Sequence, residues 1–119
     1  MNTGKICISL CSETASDLCE KVRRAEADAD VIEIRFDCLN AGELNEAIIR
    51  LPKTTKTYLF TLRPREQGGS RDLTRIERLK LWEKILRTHR DSFFLADNEL
   101  DIGHDLQIDP ARIIVSHHD

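Results

Sequence analysis

The chain alternates short apolar runs with amphipathic stretches, and this order constrains its fold more strongly than any other feature. Five apolar runs predict β-strands, at residues 5–10, 31–37, 57–63, 93–99 and 113–117. Apolar side chains at helical spacing predict helices at 12–29, 41–51 and 72–89, and a short, poorly patterned connection covers 102–109. Strands that alternate with helices in this way form a parallel sheet with right-handed crossovers, so the sequence predicts an α/β fold.

Two architectures fit such an order, an open doubly wound sheet and a (β/α)8 barrel. The first strand is not followed by a G-x-G-x-x-G pattern, so a dinucleotide-binding sheet has little support. A complete barrel needs about 250 residues. At 119 residues the chain has the length of one small domain, or of about half a barrel.

The polar residues of the predicted strands distinguish the two architectures. Successive strand residues point to opposite faces, and on four strands the polar side chains near the carboxyl end share one face. These residues are Glu33, Arg35, Asp37, Thr61, Arg63, Asp97, Glu99, Ser116 and His118. Helices on both sides of an open sheet require apolar residues on both faces, whereas a barrel interior opens into a polar site at the carboxyl ends of its strands. The pattern favours a TIM-type barrel over solvated strand ends, because the charges extend several residues into each strand.

Composition excludes several classes of protein. The net charge of −3 provides no basic surface for nucleic acid, and no apolar run approaches the roughly 20 residues of a membrane span. The amino terminus lacks the apolar core of a signal peptide, so we expect a cytoplasmic protein.

The histidines lack the spacing and thiolate partners of a zinc site. The four cysteines do not form paired C-x-x-C motifs, and buried free thiols are expected at Cys7, Cys11, Cys19 and Cys38.

Five segments in this order resemble type I 3-dehydroquinate dehydratase, the imine-forming enzyme of the shikimate pathway. The segments are Ile6-Cys7-Ile8-Ser9-Leu10, Glu33-Ile34-Arg35-Phe36-Asp37, Thr61-Leu62-Arg63 with Gly68-Gly69, Asp97-Asn98-Glu99-Leu100 and Ser116-His117-His118-Asp119. The E-x-R-x-D and S-x-H-D elements are moderately specific alone, and all five in order are highly specific. The resemblance implies that residues 1–119 form the first half of a (β/α)8 barrel, with about five parallel strands and four helical connections.

The resemblance also implies an activity, the elimination of water from 3-dehydroquinate through a Schiff base between the substrate and a lysine. No cofactor or metal is needed. The histidine of the S-x-H-D element, which removes and returns a proton, falls on His118, and one of the two acids on the fourth strand, for which we favour Asp97, orients that histidine.

The same resemblance assigns the contacts to the substrate. Glu33 and Arg35 match the residues that contact substrate hydroxyls, and Arg63 matches a further substrate contact. A salt-bridge network that lines the barrel is the alternative reading of these three residues, and both can hold at once. Ser9 matches a serine at the rim of the site, although a small core residue is an equally good interpretation.

Two departures from the family pattern bear on activity. Gln67 occupies the position that is usually a glutamate, so its role is in doubt. The Schiff-base lysine belongs on a later strand, and none of the six lysines of the sequence falls at a suitable position. We therefore expect the 119-residue chain to be inactive alone, as a truncated enzyme or one piece of a longer one. A non-catalytic half-barrel that binds ligand and closes its edge strands in a homodimer is the alternative.

Overall fold

The strands and helices follow the predicted order. The computed structural model describes residues 6–62, 74–89, 94–98 and 113–115. The strands are β1 Cys7–Leu10, β2 Val31–Arg35, β3 Thr57–Thr61, β4 Phe94–Asn98 and β5 Ile113–Val115. The α-helices are α1 Ala15–Ala25, α2 Leu44–Arg50 and α3 Arg75–Thr88, and 3-10 turns occupy Phe36–Cys38 and Ala41–Glu43.

All five strands are parallel, and each pairs with its neighbours in sequence, in the order β1-β2-β3-β4-β5. Residues of α1, α2 and α3 share one buried core with a single face of the sheet, to which Leu10, Ile34, Phe60 and Ala96 contribute. Crossovers of one hand between consecutive neighbouring strands keep the helices on one side. The sheet is therefore wound as in a barrel rather than as in a doubly wound fold.

Local signals explain where the helices begin. Thr14 is extended and its hydroxyl accepts a hydrogen bond from the backbone N–H of Asp17, so α1 begins at Ala15, three residues later than the apolar pattern predicts. Thr74 and Glu77 form a capping box at the start of α3. Trp82 is buried on that helix, but Ile76, which is also one of its apolar residues at helical spacing, is 65% exposed.

The strand prediction is wrong for Asp37. The backbone leaves the extended conformation after Arg35 and turns through a 3-10 helix, in which Asp37 is buried. The residue therefore does not continue the polar row of β2, although it remains close to that row through a contact with Arg35.

The prediction of four free thiols is wrong for Cys11 and Cys38, which form a disulfide with a Cα–Cα distance of 5.4 Å. Cys11 directly follows β1, and Cys38 lies three residues after the end of β2. Because these strands are neighbours, the segments that leave their carboxyl ends are brought together by the sheet. Cys19 is a buried free thiol as predicted, whereas the free thiol of Cys7 is exposed.

Within the ranges that the structure describes, no helix is both long and apolar enough to cross a membrane. The same described residues contain no group of three or more side chains able to hold a metal ion.

Candidate active site

The candidate site lies on the face of the sheet opposite the helices, at the carboxyl ends of the strands. The register places Arg35, Thr61 and Asp97 in one row across β2, β3 and β4. The adjoining row toward the amino ends places Ser9 beside Glu33. The predicted juxtaposition of these polar positions is therefore present in the backbone of the sheet.

Glu33 is held by the neighbouring strand. The hydroxyl of Thr61 donates a hydrogen bond of 2.7 Å to Oε2 of Glu33. Thr61 is completely buried and Glu33 is partly buried, so water competes little for the donor. A hydrogen bond to an ionised acceptor is stronger than one between neutral groups, and this contact fixes the direction of the carboxylate. Side-chain parity predicts that Thr61 lies on the polar face but does not predict this positioning role.

Arg35 is held by Asp37. Nη2 of Arg35 lies 2.7 Å from Oδ2 of Asp37, whose side chain is completely buried, while that of Arg35 is 21% exposed. The Nε atom of Arg35 is also buried, and no described residue accepts a hydrogen bond from it. The guanidinium is thus anchored at one end and retains an N–H group for another acceptor.

The thiol of Cys7 shares the inner face of the sheet with Glu33 but is not an activated nucleophile. Although the residue is exposed, partial desolvation of its sulfur, and to a smaller extent the nearby Glu33 carboxylate, raise the pKa of the Cys7 thiol. A raised pKa keeps the sulfur protonated near neutral pH, and only the thiolate is strongly nucleophilic. Among the described side chains, the chemistry of this face is therefore that of Glu33 and Arg35.

The described lysines lie away from this site. Lys21 lies on α1, and Lys80 and Lys84 lie on α3. Lys53 and Lys56 precede the amino end of β3, the end of the strand opposite the candidate site. No described lysine occupies the inner face at the carboxyl ends of the strands.

Several predicted site residues lie outside the described residues. They are Arg63, Gln67, Glu99, Ser116 and His118. Asp97 is described by its backbone, which pairs with Thr61 on one side and Ile114 on the other. The structure thus brings together Ser9, Glu33, Arg35 and the Asp97 position and leaves the roles of Arg63 and His118 as predictions.

A singly wound parallel sheet with a polar inner face at the carboxyl ends of its strands defines the class, a barrel of the (β/α)8 type with its site in the usual place. The model of the type I 3-dehydroquinase family matches residues 6–119, and the chain belongs to that family.

Curated relatives are named 3-dehydroquinate dehydratase. The 3-dehydroquinate dehydratases of Coxiella burnetii strains CbuK_Q154 and RSA 493 are each 26% identical to this chain over 123 residues, which cover 99% of this chain and 50% of the relative. The chain spans about half the length of the curated relatives that it matches.

Solved structures agree with the fold. The type I 3-dehydroquinate dehydratase of Clostridium difficile superposes with a TM-score of 0.70 at 26% identity, over 85% of this chain and 42% of that chain. The 3-dehydroquinate dehydratase of Enterococcus faecalis superposes with a TM-score of 0.67 at 19% identity, over 93% and 51% respectively. The prediction of a partial TIM-type barrel is confirmed.

Proposed function

We propose that this chain supplies the amino-terminal half of the active site of a 3-dehydroquinate dehydratase, which eliminates water from 3-dehydroquinate through a Schiff base to give 3-dehydroshikimate. The observation that carries the proposal is the pair Glu33 and Arg35 on the inner face, each held by a second side chain. Family membership supports the reaction, and the position of the pair at the carboxyl end of β2 supports its place in the site.

Glu33 and Arg35 have the chemistry needed to orient a polyol ring. The carboxylate of Glu33 accepts hydrogen bonds from substrate hydroxyls, and the guanidinium of Arg35 donates to hydroxyl oxygens. Thr61 and Asp37 act through these two residues by fixing their directions. Preorganised contacts reduce the side-chain ordering that accompanies substrate binding.

The remaining roles follow from the family pattern. His118 is proposed as the general acid and base that removes a proton beside the imine and returns one to the departing hydroxyl. Asp97 is proposed to orient His118, Arg63 to contact the substrate, and Ser9 to lie at the rim of the site. The register, which sets Asp97 two strands from Arg35, supports a shared site for these residues.

The amine of the Schiff base is proposed to come from outside residues 1–119. Each described lysine lies on a helix or at the amino end of β3, which supports this proposal. Without the amine there is no imine to stabilise charge at the neighbouring carbon. We therefore expect that 3-dehydroquinate and borohydride leave the intact mass of the 119-residue chain unchanged, and a substrate-sized mass increase would contradict this assignment.

Calorimetric titration with 3-dehydroquinate tests the binding half of the proposal. The chain is expected to bind 3-dehydroquinate saturably, and Glu33→Gln and Arg35→Gln are each expected to weaken binding by about tenfold or more, because each removes one charged contact. Arg50→Gln, which changes an exposed pair on α2, serves as the matched control and is expected to leave the affinity unchanged. Equal affinity in all three variants would overturn the proposed roles of Glu33 and Arg35.

A self-associating ligand-binding module is the second candidate. The edge strand β1 supports it, because β1 pairs only with β2 in the described sheet, and Ile6, Cys7 and Ser9 beside or on it are exposed. Two copies of this five-stranded sheet that joined their edges would close them into one barrel-like assembly. Light scattering that gave twice the mass of one chain would favour a homodimer, and the mass of one chain would remove this candidate.

We also propose a cytoplasmic location. The disulfide between Cys11 and Cys38 is an observation against this location, because reducing thiols in the cytosol keep most cysteines in the thiol form. Fractionation of cells followed by detection of the chain in the soluble cytoplasmic fraction tests this proposal.

A further inference from the structure

A cavity of about 570 Å³ lies on the helix side of the sheet, near the amino end of β3. It is bounded by the end of α2, the segment 51–56, the end of α3 and the start of β4. The candidate active site occupies the other face of the sheet, at the opposite end of β3. The two are therefore separate, and the volume is within the range of small-molecule sites.

The inner wall of the cavity is apolar and aromatic. Tyr58, Phe60 and Phe94 form a buried cluster, in which the ring centroids of Phe60 lie 5.4 Å from Tyr58 and 4.9 Å from Phe94. Ile49 at the rim is 60% exposed and adds an aliphatic side chain to the opening of the cavity. This wall favours a flat or apolar ring as a ligand.

Two polar groups of the wall already form hydrogen bonds within the protein. The hydroxyl of Tyr58 donates to the carbonyl oxygen of Pro52, and Nε2 of His89 donates to the carbonyl oxygen of Ile48 at 2.8 Å. Burial chiefly raises the pKa of Tyr58, so the phenol stays neutral and keeps its hydrogen bond. These groups therefore shape the wall, and a ligand must find its polar partners at the rim.

The rim is cationic. Lys53 and Lys56 line the cavity together with the hydroxyl-bearing Thr54 and Thr88, and none of the described lining residues is acidic. Every ion pair of the described residues involves other side chains, so neither ammonium group is neutralised by a described carboxylate. Two cations that no described carboxylate pairs with, beside an apolar wall, attract an anion that carries an apolar body.

We propose that this cavity binds a small aromatic carboxylate, with the ring against the Tyr58 wall and the carboxylate between Lys53 and Lys56. An inorganic anion would leave the apolar part of the cavity unfilled. A neutral ring would leave the two ammonium groups without a counter-charge. The ligand class follows from the combination of the two surfaces.

Titration of the 119-residue chain with benzoate, followed by calorimetry or by amide chemical shifts, tests this site. Benzoate is expected to bind saturably with a Kd on the order of 1 mM, as suits a ligand of this size. Benzamide and inorganic phosphate, which lack the charge and the ring respectively, are each expected to bind at least about tenfold more weakly. Absence of saturable benzoate binding, or equal binding of either comparison compound, would overturn the proposal.

Two variants locate the binding. Lys53→Gln combined with Lys56→Gln is expected to weaken benzoate binding by about tenfold or more, while the matched double variant Lys80→Gln with Arg87→Gln, on the exposed side of α3, keeps it. Ile49→Trp fills the rim from an exposed position that folding does not require and is expected to abolish binding. Unchanged affinity in both cavity variants would place benzoate elsewhere and overturn the assignment.

Discussion

The hydroxyl of Thr61 on β3 donates a hydrogen bond of 2.7 Å to the carboxylate of Glu33 on β2. The two residues are diagonal neighbours on the inner face, since Arg35 is the direct register partner of Thr61. A buried threonine thus directs a carboxylate from the adjacent strand toward the interior of the barrel. The candidate site depends on this cross-strand contact as well as on the residues that would touch substrate.

Replacement of Thr61 by valine tests the energetic value of that contact. Valine keeps the shape of the side chain but removes the donor, so Thr61→Val is expected to lower the free energy of unfolding by about 1–2 kcal/mol. Urea denaturation measures the change. Thr57→Val is the matched control, because Thr57 lies on the same face of β3 and its hydroxyl bonds to no described residue.

The control is expected to change the stability by less than about 0.5 kcal/mol. If Thr57→Val and Thr61→Val had equal effects, the hydrogen bond to Glu33 would contribute nothing beyond the loss of a hydroxyl group. The cross-strand positioning of Glu33 would then be rejected.

Removal of the charge of Asp37 is expected to destabilise the protein strongly. Asp37→Asn leaves the mostly buried guanidinium of Arg35 without its anion, and the free energy of unfolding is expected to fall by about 3 kcal/mol. Glu46→Gln, in the exposed pair with Arg50, is expected to cost less than about 0.5 kcal/mol. Chemical denaturation of both variants measures the two changes in the free energy of unfolding. Equal small losses would show that the buried pair contributes no more stability than the exposed pair.

Because of the disulfide, the stability of the protein is expected to depend on reductant. It closes a loop between residues 27 positions apart, and its reduction is expected to lower the free energy of unfolding by about 3 kcal/mol. The double variant Cys11→Ala with Cys38→Ala should be insensitive to reductant. Titration of accessible thiols in the denatured, unreduced chain should give the two groups of Cys7 and Cys19, and four groups would refute the bond.

Tyr58 predicts a loss of stability in alkali. Burial raises its pKa in the folded chain above the ordinary value of 10.0, and the charges of Glu26 and Cys19 raise it further. The unfolded chain therefore loses this proton first, so the contribution of Tyr58 is fully present below pH 10.0 and is lost as the pH rises above that value.

Phenolate absorbance measures this effect directly, because Tyr58 is the single tyrosine of the sequence. The folded chain is expected to form phenolate at a higher pH than the urea-unfolded chain, and Tyr58→Phe should unfold less steeply in alkali. Coincident titrations of the folded and unfolded chains would contradict the burial of the hydroxyl.

Local periodicity was sufficient to predict the order of the elements, because strand alternation and helical spacing are properties of neighbouring residues. It failed where the conformation depends on contacts that alternation and helical spacing do not describe. Asp37 continues the alternation of β2, yet its carboxylate turns back to Arg35 within a 3-10 helix. The bond between Cys11 and Cys38 depends on the pairing of two strands, which cysteine spacing does not reveal.

The candidate site was predictable to a similar extent. Glu33 and Arg35 could be assigned from the E-x-R-x-D element and from side-chain parity, since both are local. The hydroxyl that holds Glu33 could not, because its position depends on the register between β2 and β3. A polar residue at the buried end of a strand, such as Thr61, was the available signal.

Residue-resolved NMR titration with 3-dehydroquinate is the most direct test of the central claim, that Glu33 and Arg35 form a substrate-binding surface at the carboxyl end of β2. Saturable shifts are expected for the amides of Arg35, Asp37 and Thr61, with little change at Lys53 and Tyr58 at the other end of β3. Absence of saturable shifts, or shifts confined to that other end, would contradict this claim.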